Sequence, residues 1–123
     1  MRVQVVKTCC ALIFSFFSFS ILAQSEFYDQ ADLDSIYKDI KSNLKNTESN
    51  LVRIERAITS IEKIENDTIA GEFYHKFANL RQDMGHWDSI SRQTHQKGYN
   101  RIEASGDVCK QVVSLFNLTR FAL

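Results

Sequence analysis

The residues of this chain whose types could do chemistry are three histidines, a late cysteine and the acids near them. Glu72-Phe73-Tyr74-His75 has the spacing that puts a carboxylate and an imidazole on one turn of a helix. Carboxylate-bridged di-metal sites use two such pairs plus two further inward glutamates, and only one pair is present. Asp83 and His86 repeat the spacing in diluted form, with aspartate for glutamate. The plainer reading is a surface acid and a surface histidine. His75, His86, His95 and Cys109 taken together match no compact zinc module. A nucleophilic pair of Cys109 with a histidine has no local signature and would need the fold to assemble it. The residues therefore assign no catalytic, cofactor-binding or metal site, and the chain reads as a protein without turnover. Asn66-Asp67-Thr68 and Asn117-Leu118-Thr119 have the form of glycosylation sequons, and the first also serves as turn chemistry.

The elements that would position these residues are helical. Leu33, Tyr37, Ile40, Leu44, Thr47, Leu51, Ile54, Ile58 and Ile61 recur at alternating spacings of four and three, and all but Thr47 are apolar. This is a heptad seam and predicts one long amphipathic helix, capped by Asp32 or Asp29. Extended to Glu65, it would be a rod of about 50 Å at 1.5 Å per residue. Lys38, Lys41, Lys45, Glu48, Arg53, Glu55, Arg56 and Glu62 fall on its other faces, as a solvated surface requires.

The apolar phase breaks at Asn66-Asp67-Thr68, where Asp67 or Thr68 can cap a second helix. Ile69, Phe73, Phe77, Leu80, Met84 and Trp87 form its seam, with a bend possible at Gly85. Trp87 is in phase and is expected to be largely buried beside Phe77, Leu80 and Met84. Ser91 to Lys97 is polar, and Gly98 is a candidate helix stop. Tyr99 to Asp107 reads as a loop or as a short helix broken at Gly106. Asp107 can cap a last helix that turns Val108, Val112, Leu115 and Phe116 inward.

Composition agrees with a helical domain. The 123 residues include no proline and four glycines, all late. That suits long helices and argues against a turn-rich β fold. The expectation is an all-α fold: a small helical bundle or hairpin with one long N-terminal amphipathic helix, a second long helix and a short C-terminal helix.

The first 23 residues read as an address. Arg2 and Lys7 form a short positive start, an apolar run centred on Phe14, Phe16, Phe17 and Phe19 follows, and Ala23 precedes the polar Gln24-Ser25-Glu26. This is the layout of a secretory signal peptide. The stretch from Thr8 to Ala23 has 16 residues, short of the roughly 20 a spanning helix needs. Residues 1–23 are therefore expected to be a cleaved signal peptide and residues 24–123 a single helical domain outside the cytoplasm. Cys9 and Cys10 sit at the start of the apolar run, Cys9 to Leu22, where a lipid-bearing cysteine would follow it.

Cleavage after Ala23 would leave 13 basic against 15 acidic residues, a net charge of −2. No basic stripe marks a nucleic-acid partner. Cys109 would be the lone cysteine of the mature chain, and in an oxidising compartment it either pairs with another chain or stays a buried thiol. Burial is the favoured expectation, because free cysteine is among the most buried residue types.

Ala31-Asp32-Leu33-Asp34-Ser35-Ile36-Tyr37-Lys38-Asp39-Ile40 resembles the opening helix of the LprI-like lysozyme-inhibitor family, which shows an alanine, an acid, a leucine and then a tyrosine–lysine pair. Leu80, Trp87 and Arg92 fit its later leucine, tryptophan and arginine loosely, and Cys109 through Ser114 its late cysteine segment. The chain departs from that pattern at Thr94-His95-Gln96, where the family carries a second cysteine, and its arginine is displaced by one residue. An extra seam at about residues 46–64 separates the matching parts. The resemblance covers about a third of residues 24–123. It implies an extracytoplasmic helical protein and, for some members, inhibition of lysozyme; it carries over no inhibitory residue.

Two functions follow as expectations. One is a periplasmic or secreted small helical protein that binds another protein, in its sharper form as an inhibitor of a cell-wall hydrolase such as lysozyme. The other is a structural, coiled-coil-like exported protein that forms a homodimer by zipping the Leu33–Ile61 seam against a copy of itself.

Overall fold

The computed structural model describes residues 27–120; the expected signal peptide, residues 1–23, lies outside them. The described residues form five α-helices and no strand: α1 Gln30–Ser42, α2 Thr47–Ile61, α3 Asp67–Asp83, α4 Ser89–Ser105 and α5 Val108–Thr119. The all-α expectation holds at this level. No helix among the described residues is long and apolar enough to cross a membrane.

The single long N-terminal helix is not found. The seam is carried by two helices, α1 and α2, parted by a turn at residues 43–46. The cause is local. Ser42 Oγ donates to the Asp39 carbonyl at 2.8 Å, and Asn43 leaves the helix at φ −141°, ψ 62°. Serine and asparagine compete for backbone groups in this way and weaken a helix interior. Asn50 then donates its Nδ2 to the Asn43 carbonyl at 2.8 Å, so the exposed helix end is satisfied from α2. The seam's phase survives the turn, because Leu33 and Ile40 on α1 and Ile54 and Ile61 on α2 are all fully buried.

Helix α3 is the centre of the molecule. One of its faces carries Ala70, Phe73, Tyr74, Phe77 and Leu80, which join those seam residues in one apolar cluster. Tyr37 meets Phe77 edge-on at a centroid distance of 6.2 Å. Asp29 caps α1 in a reciprocal box with Asp32, as one of the two expected caps. Asn66, rather than Asp67 or Thr68, caps α3, its Oδ1 accepting from the Ile69 N–H at 3.0 Å. The first sequon thus sits in cap geometry.

The second half of the bundle departs further from expectation. Gly98 does not stop a helix but lies inside α4. There it meets Gly71 of α3: a Cβ built on Gly71 would fall 2.9 Å from the Gly98 carbonyl oxygen, and one on Gly98 would fall 3.0 Å from that of Gly71. The two glycines let the backbones touch. Asp67 pairs with Arg101 and Arg81 with Ser91, so α3 and α4 run antiparallel. The actual stops are Gly85 and Gly106, both with positive φ, 90° and 76°. Helix α4 thus runs on through most of the segment that sequence left ambiguous, and Asp107 caps α5 as expected.

Two packing expectations are overturned. Helix α3 ends before Gly85, so Trp87 falls out of phase and is 54% exposed, with the Arg120 guanidinium 5.9 Å from its ring centroid. Val108, Val112, Leu115 and Phe116 of α5 face outward rather than inward. The one buried side chain of α5 is instead that of the small Ser114.

Candidate functional site

The face of α3 opposite the apolar cluster is polar. It presents His75 and Gln82 to His95 of α4 and to Ser114 of α5, and all four side chains are buried. His95 is 0% exposed and Ser114 1%. The reading of His75 as a surface histidine is therefore corrected. The Gly71–Gly98 contact brings α4 close enough to α3 for the two imidazoles to meet, and a Cβ on Gly98 would lie 3.0 Å from His75 Nε2.

The four groups form a chain. His95 Nε2 lies 3.1 Å from Gln82 Oε1, His95 Nδ1 lies 2.7 Å from His75 Nδ1, and His75 Nε2 lies 2.5 Å from Ser114 Oγ. The direction of the protons follows from the first link. A carbonyl oxygen only accepts, so His95 Nε2 donates and, in a neutral ring, its Nδ1 accepts. His75 Nδ1 then donates, its Nε2 accepts, and the Ser114 hydroxyl donates to it. This sense rests on the assigned orientation of the Gln82 amide, which leaves Gln82 Nε2 buried without a partner among the described residues.

Both rings are neutral near pH 7. Burial pushes the His75 pKa down to about 4. Burial, then the neighbouring His75 and Arg120, pushes His95 down to about 4 as well. One proton between two facing Nδ1 atoms makes a hydrogen bond; a second would set two N–H groups against each other.

A cleft of about 520 Å³ opens beside this cluster between α3 and α5, lined on the polar side by His75, Ser114 and Asn79 and on the apolar side by Ile102 and Val113. Glu72 and Lys110 also line it and bond to each other across the two helices. That bond and the Glu72 charge raise the Lys110 pKa. Glu72 is thus engaged with Lys110, and His75 with His95 and Ser114. The pair that sequence spacing singled out is split between an ion pair and the buried chain. Cys109 lies at the cleft and is exposed, against the expectation of a buried thiol. His86 is only half-buried and sits near Asp88 in the turn after α3, 3.9 Å away.

Among the described residues no group of three or more His, Cys, Asp or Glu side chains is placed to hold a metal ion. The arrangement can polarise the Ser114 hydroxyl toward His75 and can offer hydrogen bonds to something in the cleft. Sequence reading missed His95, Gln82 and Ser114 as a set with His75. The available signal was the pairing of Gly71 and Gly98 with helically spaced polar residues, which marks a tight polar helix contact.

No known family model matches this chain, and no curated protein or solved structure is detectably similar to it. What the described residues define is a class by architecture: a small five-helix bundle, apolar on one side of its central helix and polar on the other.

Proposed function

We propose that this protein is exported and acts outside the cytoplasm by binding another protein, with α5 as its contact surface. The observation that carries the reading is the apolar outer face of α5, where Val108, Val112, Leu115 and Phe116 are between 46% and 69% exposed. Val108, Val112, Leu115 and Phe116 follow the spacing by which an amphipathic helix enters an apolar groove on a partner. Large exposed apolar surface of this kind marks interaction sites. Export is supported by the layout of residues 1–23.

The sharper form of the proposal is inhibition of a cell-wall hydrolase such as lysozyme, supported by the resemblance of residues 31–40 alone. Against it stands the alternative of a homodimer zipped through the Leu33–Ile61 seam. The burial of Leu33, Ile40, Ile54 and Ile61 within one chain favours the first reading, since α3 already occupies that seam.

Photo-crosslinking from position 116 in the exported fraction tests the proposal. A crosslinked protein that disappears when Val112 is changed to Asp is the expected result, and the absence of any crosslink overturns the reading. Lysozyme activity measured with the purified protein in large molar excess tests the sharper form; full activity removes it. A crosslink from position 116 to a second copy of the chain would make α5 a self-association surface and would remove the reading of a different protein as its partner.

A further inference from the structure

We propose that the buried His75, paired with His95, is an acid-operated latch: it holds α5 docked in neutral solution and releases it in mild acid, while α1 to α4 stay folded. Release of α5 would move the surface proposed above for partner contact, but the inference does not rest on that reading.

Helix α5 is the element held by least. Ser114 is its one buried side chain, and that hydroxyl is spent on His75 Nε2 at 2.5 Å. The rest of its inward side is the half-buried Lys110, Gln111, Asn117 and Leu118, of which only Leu118 is apolar. A cleft of about 520 Å³ opens between it and α3. Gly106, at φ 76° and with open space around its Cα, precedes α5 and is its pivot. Helix α4 is fixed far more firmly. Gly71 and Gly98 set its backbone against that of α3, Arg101 holds Asp67 and the Ile64 carbonyl, and Arg81 holds Ser91 and Asp88. Helices α1, α2 and α3 share the apolar cluster, in which α5 has no part.

The geometry makes a proton the trigger. With His75 Nδ1 donating to His95, the nitrogen of His75 left to take a proton is Nε2, which accepts from Ser114. Protonation there deprives the Ser114 hydroxyl of its acceptor and leaves a buried cation. A proton on His95 Nδ1 instead sets two N–H groups against each other across 2.7 Å. The carboxylates around His75 are engaged elsewhere: Glu72 with Lys110, Asp88 with Arg81 and Asp34 with Lys76. Arg120, just past α5, adds a repelling charge at His95. A buried charge without a counter-charge is costly until water reaches it. The open side is the cleft under α5, which His75 lines together with Cys109. Swinging α5 away hydrates the ring and breaks only the Ser114 contact and the Glu72–Lys110 pair.

Burial holds His75 at about 4 when docked, against 6.5 in water, so release takes up protons. Between pH 7 and pH 5 one such group shifts the balance about twentyfold toward release. Carboxylates of ordinary pKa stay ionised over that range.

Amide hydrogen exchange on the intact protein reads each helix separately. From pH 7 to pH 5 the protection factors of α5 should fall about twentyfold. Those of residues 70–80 in α3 and 51–58 in α2 should change by less than about twofold. His75→Gln, which keeps a polar side chain but cannot take the proton, should hold the α5 change under about twofold as well. That variant also separates the effect from His86, which sits beside Asp88. The His75 ring resonances of the wild-type protein, which should titrate in step with the loss of α5 protection, decide the matter if His75→Gln does not fold. Equal protection of α5 at both pH values, an equal fall in all five helices, an undiminished fall in His75→Gln, or a ring titration out of step with α5 would each overturn the proposal.

Discussion

Helix α3 has two neighbourhoods built on opposite principles. Toward α1 and α2 it is apolar: Phe73, Phe77 and Leu80 meet Leu33, Ile40, Ile54 and Ile61. Toward α4 and α5 it is polar and close: Gly71 touches Gly98, and His75 and Gln82 meet His95 and Ser114. The first contact is held by area removed from water and tolerates small shifts. The second is held by hydrogen bonds between buried groups, where breaking one costs more than the bond contributes, and it already leaves Gln82 Nε2 without a partner among the described residues. The difference places the apolar burial on one side and the sensitivity to protons on the other.

The comparison breaks most visibly at Phe77, which is fully buried at the centre of the apolar side. Phe77→Ala should lower the unfolding free energy by about 3–5 kcal/mol, measured by chemical denaturation. A loss under about 1 kcal/mol would mean that this side does not carry the fold.

The pH dependence of stability should come from the other side. His75 and His95 have an ordinary pKa of 6.5 unfolded and about 4 folded. Between those values the unfolded chain holds more protons than the folded one. Their contribution is therefore intact above pH 6.5 and is lost progressively as pH falls toward 4. The melting temperature should drop across that window, and His95→Gln should flatten the drop. An identical pH profile in wild type and variant would separate the imidazoles from the acid response.

Gly98→Ala sharpens the same contrast with a single methyl group. The added Cβ would lie 3.0 Å from both the Gly71 carbonyl oxygen and His75 Nε2. A cost of about 1–3 kcal/mol is expected from overpacking, together with a shift of the His75 ring resonances. An unchanged His75 spectrum would show that the helix contact does not position the ring.

The smallest stability effect belongs to the surface. Trp87 should be readily quenched by iodide or acrylamide, and Val112→Asp should change stability by no more than about 0.5 kcal/mol. A shielded indole or a strongly destabilised Val112→Asp would show that these apolar residues are covered, and would remove the exposed face from the comparison.

How much was legible in the sequence differs between the two sides. Leu33, Ile40, Ile54 and Ile61 were marked by their spacing, and so were Phe73, Phe77 and Leu80, whereas Ala57, also fully buried on α2, was not. The caps at Asp29 and Asp107 were legible because a short acid before a helix can accept from N–H groups that have no helical partner. The turn at residues 43–46 was not, because periodicity reports which way a side chain faces and stays silent on whether the backbone between two turns is continuous. The polar face of α3 was illegible for a related reason: an apolar residue declares burial by its type, whereas His75, His95 and Ser114 look like surface residues until a partner is placed against each.

Sequence alone determined the helical class, the apolar face of the central helix and several of the helix ends. These depend on neighbours within a turn or two, where propensity, spacing and caps act. Tertiary structure decided that Gly98 would be a contact rather than a stop, that Trp87 and the apolar face of α5 would look outward, and that two histidines, a glutamine and a serine from three helices would share a chain of protons. Those outcomes depend on distances between residues 13 to 39 positions apart, and only the packing of whole helices sets such distances.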